Sequence, residues 1–70
     1  MGSYVISQKV GKRIRLARRR LGMTQLELGI EARLHSTTVG RIERGELNPT
    51  LPTLQKIAKG LRMKTGDLLS

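Results

Sequence analysis

The sequence predicts an all-α fold, a compact bundle of four or five short helices. Three observations carry that reading. The chain has 70 residues, no cysteine, one tyrosine and no Phe or Trp, so its core must be small and aliphatic, without disulfides or thiolate metal sites. Its apolar residues recur at helical rather than alternating spacing. Glycine, proline and threonine punctuation cuts the chain into segments of helix length.

The first helix is expected over residues 7–21. At about 100° per residue Val10, Ile14, Ala17 and Leu21 fall in one narrow stripe, with Arg18 at its edge and Lys12, Arg13, Arg15, Arg19 and Arg20 around the rest. Gly22 can close it with φ > 0. The second runs over residues 24–32. "MTQLEL" puts Thr24 at the N-cap and Glu27 three residues on, a capping box, with Met23 and Leu28 as its hydrophobic staple. Gly29 weakens this helix by about 1 kcal/mol relative to alanine, which predicts that another helix passes close by.

The third segment, "LHSTTVGRIERG", begins in small polar residues and ends in alternating apolar and charged ones. On a helical wheel Ser36, Gly40, Arg44, Thr37 and Arg41 spread over roughly 140°, and Val39, Ile42 and Glu43 take the other side. Residues 36–44 therefore form one amphipathic helix with an outer polar face, and Gly45 follows as its closing residue. Asn48-Pro49 marks a turn. Thr50 can cap a fourth helix that tolerates Pro52 in its first turn and carries Leu54, Ile57, Ala58 and Leu61 as its apolar stripe. A short last helix covers residues 65–69.

Charge narrows the function. Fourteen Lys and Arg face five Asp and Glu, a formal +9, and seven of the basic residues fall within residues 9–20. So basic a domain calls for a polyanionic partner, most often nucleic acid. The single aromatic residue argues against base-stacking RNA modules. No nucleophile–base set, paired carboxylates or phosphate loop is visible, so no enzyme is expected. One histidine builds no metal site, and nothing calls for a cofactor. No apolar run approaches the ~18 residues of a membrane span, so a cytoplasmic protein is expected.

Two short helices, residues 24–32 and 36–44, stand head to tail across about three residues, the spacing of a helix-turn-helix. The outer face of the second can enter the major groove, where base edges offer a readable donor and acceptor pattern. Small hydroxyls permit close approach there, and Gly40 removes a side chain that would hold the helix out.

At "TQLELGIEARLHSTTVGRIERGELNPTLPTLQKIAKGL" the chain resembles the Xre/Cro-type helix-turn-helix family, which includes the lambda repressor and Cro. The likeness extends from "VGKRIRLARRRLGMTQ" through "GDLL", nearly the whole of residues 1–70, which are expected to be one DNA-binding domain. The resemblance implies a five-helix, lambda-repressor-like fold and a transcriptional regulator, repressor-like, binding palindromic double-stranded operators as a homodimer. It assigns base reading to Ser36, Thr37 and Arg41, and a phosphate contact together with support of the recognition helix to Gln25. Arg44 and Asn48 match backbone-contacting positions, and Arg33 and His35 complete the candidate backbone set. Arg18 and Glu43 match a buried ion pair, which also follows from the residues: each lies beside a core stripe and would be costly to bury alone. Dimerisation is expected through residues 49–52 and 63–69.

The chain departs from the family in places. Arg33 stands where a turn glycine is usual, and a side chain in the left-handed region costs on the order of 1 kcal/mol. Arg62 likewise replaces a glycine after the fourth helix. His35 replaces a Ser or Thr cap, so the third helix is allowed to start one residue later, capped by Ser36. Leu16, Leu26 and Ile30 are apolar where the family is mostly polar, a candidate protein-binding surface. They support the alternative reading, an antitoxin-like or adaptor protein whose main role is to bind a partner protein.

Overall fold

The computed structural model describes residues 2–69, with side chains from residue 8 onward. Five helices follow in order: α1 (Gly2–Arg20), α2 (Gln25–Ala32), α3 (Ser36–Glu43), α4 (Leu51–Gly60) and α5 (Thr65–Leu69). α2 packs on α3 and α4, while α1 packs on α3 and α5 and α4 on α5. Val10 and Ile14 of α1, Leu28 and Ala32 of α2, Val39 and Ile42 of α3, Leu54, Ile57 and Ala58 of α4, then Leu61 and Leu68, make up the buried core. It is aliphatic throughout, as the composition requires. Each helix contributes one stripe, so burial rather than intrinsic propensity holds helices as short as eight residues.

The helix ends follow from local chemistry. The Thr24 hydroxyl accepts from the Glu27 N–H at 3.0 Å, and the Glu27 carboxylate accepts from the Thr24 N–H at 2.8 Å, which closes the capping box. Thr50 caps α4 by accepting from the Thr53 N–H. Four helices end alike, with one residue turned left-handed and two backbone bonds folding back: Met23 to Arg18 and Gly22 to Arg19 after α1, Leu34 to Gly29 and Arg33 to Ile30 after α2, Glu46 to Arg41 and Gly45 to Ile42 after α3, Met63 to Ala58 and Arg62 to Lys59 after α4. The left-handed residue is glycine at 22 and 45, but arginine at 33 (φ 57°) and 62 (φ 59°). The turn of the helix-turn-helix keeps its geometry and accepts the strain at Arg33.

Four expectations are corrected. α1 begins at Gly2, not near residue 7, because no Gly or Pro between residues 3 and 10 interrupts it. Leu21 is 45% exposed rather than part of the core stripe. The chain leaves the helical path at Arg20, so the wheel no longer applies to Leu21. α3 starts at Ser36 with His35 as its N-cap residue, and the imidazole makes no capping hydrogen bond. Gly29 makes room for the turn itself: a Cβ there would stand 2.5 Å from the Leu34 carbonyl oxygen.

Candidate nucleic-acid interface

The two motif helices meet through backbone and polar groups as well as through the core. Arg18 of α1 and Glu43 of α3 are both buried. Their pairing is bidentate: Arg18 Nε donates to Glu43 Oε2 at 2.6 Å and Nη2 to Oε1 at 3.0 Å. Arg18 Nη1 donates to the Met23 carbonyl at 2.8 Å, and Gln25 Nε2 donates to Glu43 Oε1 at 3.1 Å. The hydrogen bonds from Arg18 to Glu43 raise the guanidinium pKa further, so Arg18 stays charged. One carboxylate thus ties α1, the start of α2 and the end of α3 together. Two glycines permit it. At Gly11 a Cβ would stand 2.6 Å from the Glu43 carbonyl oxygen, so α1 and α3 touch at their backbones.

Gly40 has a different role from the expected one. It is buried, and a Cβ would meet the Gln25 amide at 3.3–3.4 Å and Arg44 Nη1 at 3.1 Å. Gly40 therefore faces α2 and lets Gln25 cross α3. It does not clear the outer face.

That outer face belongs to Thr37 and Arg41, both exposed and one helical turn apart, with Ser36 half-buried beside them. An eight-residue helix is about 12 Å long, about the width of the major groove. Arg33 and His35, exposed in the turn, flank its N-terminal end, and exposed Arg44 and Asn48 flank its C-terminal end. Gln25 is half-buried at the first position of α2. The structure thus brings the candidate base-reading and backbone residues to the two ends and outer side of one helix. Of the basic residues in the first helix, Lys9, Lys12, Arg15, Arg19 and Arg20 are exposed, Arg18 is buried, and Arg13 is spent on the Leu68 carbonyl at 3.3 Å.

The Arg44 guanidinium is engaged in the free protein. Nε donates to Glu46 Oε2 at 2.8 Å and Nη2 to Oε1 at 3.2 Å. The pairing raises the pKa of Arg44 and lowers that of Glu46. Sequence reasoning placed no role on Glu46 or Gly11. An acidic residue just after the closing Gly45, and a glycine in mid-helix facing the same side as Val10 and Ile14, were the available signals.

Fold and face together define a helix-turn-helix DNA-binding regulator. The chain belongs to the Xre/Cro-type family: the helix-turn-helix family model HTH_3 matches residues 14–68. Control protein C.BamHI of Bacillus amyloliquefaciens is 40% identical over 65 residues, covering 93% of this chain and 76% of that protein. The immunity repressor protein of Bacillus phage phi105 is 33% identical over 60 residues, and the match spans 86% of this chain but 42% of the repressor. Among solved structures, the restriction-modification controller protein C.AhdI from Aeromonas hydrophila superposes with a TM-score of 0.87 at 32% identity, covering 89% of this chain and 94% of that one. The P22 c2 repressor in complex with a synthetic operator gives a TM-score of 0.84 at 30% identity, over 90% and 96% of the two chains. These relatives are named as regulators, not enzymes. Among the described residues no helix is long and apolar enough to cross a membrane.

Proposed function

We propose that residues 1–70 act as one DNA-binding domain, a sequence-specific, repressor-like regulator that seats α3 in the major groove of an operator. The observation that carries this reading is the outer face of α3. Thr37 and Arg41 stand exposed on a helix whose other side is fixed by a buried ion pair and by Gln25. A reading face must be held rigidly to tell base pairs apart. Ser36, Thr37 and Arg41 read bases, and Gln25, Arg33, His35, Arg44 and Asn48 hold the backbone. The likeness to the operator-bound P22 c2 repressor supports duplex operator DNA as the partner. Such a regulator works in the cytoplasm.

A homodimer on a palindromic site fits the C-terminal part. Leu51 at the start of α4 and Leu69 at the end of α5 are 56% and 48% exposed, within the segments expected to meet. The test of the whole reading is a titration of three probes: a duplex selected from a random pool, its scrambled counterpart and the single strand. Preference for the selected duplex supports it, and equal binding of all three rejects it.

Leu26 and Ile30, 60% and 65% exposed on α2, favour a second role as an antitoxin-like or adaptor protein, with exposed Leu16 as a further contact. Charged replacements of Leu26 and Ile30 leave duplex affinity unchanged under both readings. They abolish regulation in a reporter strain only under the second.

A further inference from the structure

Glu46 is the acidic residue at the DNA-facing end of α3, and the fold does not need it there. Glu27 closes the capping box, Glu43 holds the buried pair, and the Asp67 carboxylate accepts from the Lys64 N–H before α5. Glu46 has no such structural duty: it is exposed and its side-chain bonds go to Arg44. It also stands at a helix C-terminus, where the macrodipole disfavours an anion. Its position is nonetheless fixed. The Glu46 N–H donates to the Arg41 carbonyl at 2.9 Å, in the turn that closes α3 around Gly45. The carboxylate lies in the field of Arg41 as well as Arg44. Two oxygens on the fork of a guanidinium are the arrangement a phosphate would adopt on the same donors.

We propose that Glu46 is an intramolecular competitor for the DNA backbone: its carboxylate occupies the Arg44 donors until a phosphate displaces it, and so limits the affinity for every duplex, selected or scrambled. This rests on the DNA-binding reading above. On binding, Arg44 exchanges one anion for another, and only the difference between the two favours the complex. Because the pair is solvent-exposed, 55% and 52% for the two side chains, the exchange is quick and the restraint modest. A regulator benefits from such a restraint, since weaker backbone contacts reduce occupancy of the many non-specific sites that compete with the operator.

The test is a double-mutant cycle read by fluorescence anisotropy on the selected duplex and its scrambled counterpart. Glu46→Gln should raise the affinity for both by about three- to ten-fold at ~0.1 M salt. Glu31→Gln, the same charge change at an exposed site on α2, measures the general effect of one added positive charge and should give less than about two-fold. In an Arg44→Ala background, Glu46→Gln should do no more than Glu31→Gln. An unchanged Tm for Glu46→Gln confirms that the fold is intact. The proposal is overturned if Glu46→Gln matches Glu31→Gln in the wild-type background, or if its gain survives in full without Arg44. Failure of the wild-type protein to bind either duplex would instead reject the DNA-binding reading.

Discussion

Replacing Glu43 by alanine removes one side chain from three elements at once. Arg18 would keep the Met23 carbonyl on Nη1 but lose both partners of Nε and Nη2, and Gln25 would lose its acceptor. Arg18 is 8% exposed, so water cannot replace what is lost without opening the contact between α1 and α3. Breaking a buried pair from one side costs about 3 kcal/mol or somewhat more. For a domain of this size each kcal/mol lowers Tm by about 4–8 °C, so Glu43→Ala should melt at least ~12 °C below wild type. Thermal and urea denaturation followed by circular dichroism measures this. Replacing the pair together, Arg18→Met with Glu43→Leu, should recover most of the loss, because no charge is then stranded. A Glu43→Ala variant within about 1 kcal/mol of wild type, or a double variant no more stable than the single one, would refute the reasoning.

Other outcomes follow from the same geometry. If a bound dimer neutralises about eight phosphates, log K against log salt should have a slope near −7, and Arg44→Ala should make it shallower by about one per subunit; filter-binding or anisotropy titrations over a salt series check both. Arg62→Gly relieves a left-handed arginine (φ 59°) and should stabilise the fold by about 1 kcal/mol in urea denaturation. Sedimentation of the complex should find two chains per selected site, since helix-turn-helix dimers place their recognition helices about 34 Å apart; one chain on a non-palindromic site would reject the dimer.

How far the sequence revealed this molecule depended on the range of the interaction. The Thr24–Glu27 capping box spans three residues and needs no tertiary information, so it was legible. At Arg33 the family resemblance, in which a turn glycine is usual, left two outcomes open, strain or a different turn, and the left-handed arginine is the first of them. Arg18 and Glu43 could be paired from their places beside two apolar stripes, although they lie 25 residues apart. Crossing geometry was not legible. The wheel put Gly40 on the polar arc, but the contact between α2 and α3 turns it inward against Gln25. Leu21 left the core because a backbone turn intervened before the apolar period did. The Arg44–Glu46 contact depends on the reversal at Gly45 (φ 75°), which a linear reading of charges cannot supply.

The reading face is tested most directly at Arg41. Its guanidinium can donate two hydrogen bonds to O6 and N7 of one guanine, a pattern unique to that base in the major groove. Affinities of wild type and Arg41→Ala for the selected duplex, its scrambled counterpart and a set with each half-site position changed in turn would decide it. The account predicts a loss of about 1–3 kcal/mol on the selected duplex, little change on the scrambled one and a relaxed preference at one base pair of each half-site. Equal weakening on both duplexes, as from a lost phosphate contact, or an unaltered preference at every position, would contradict it.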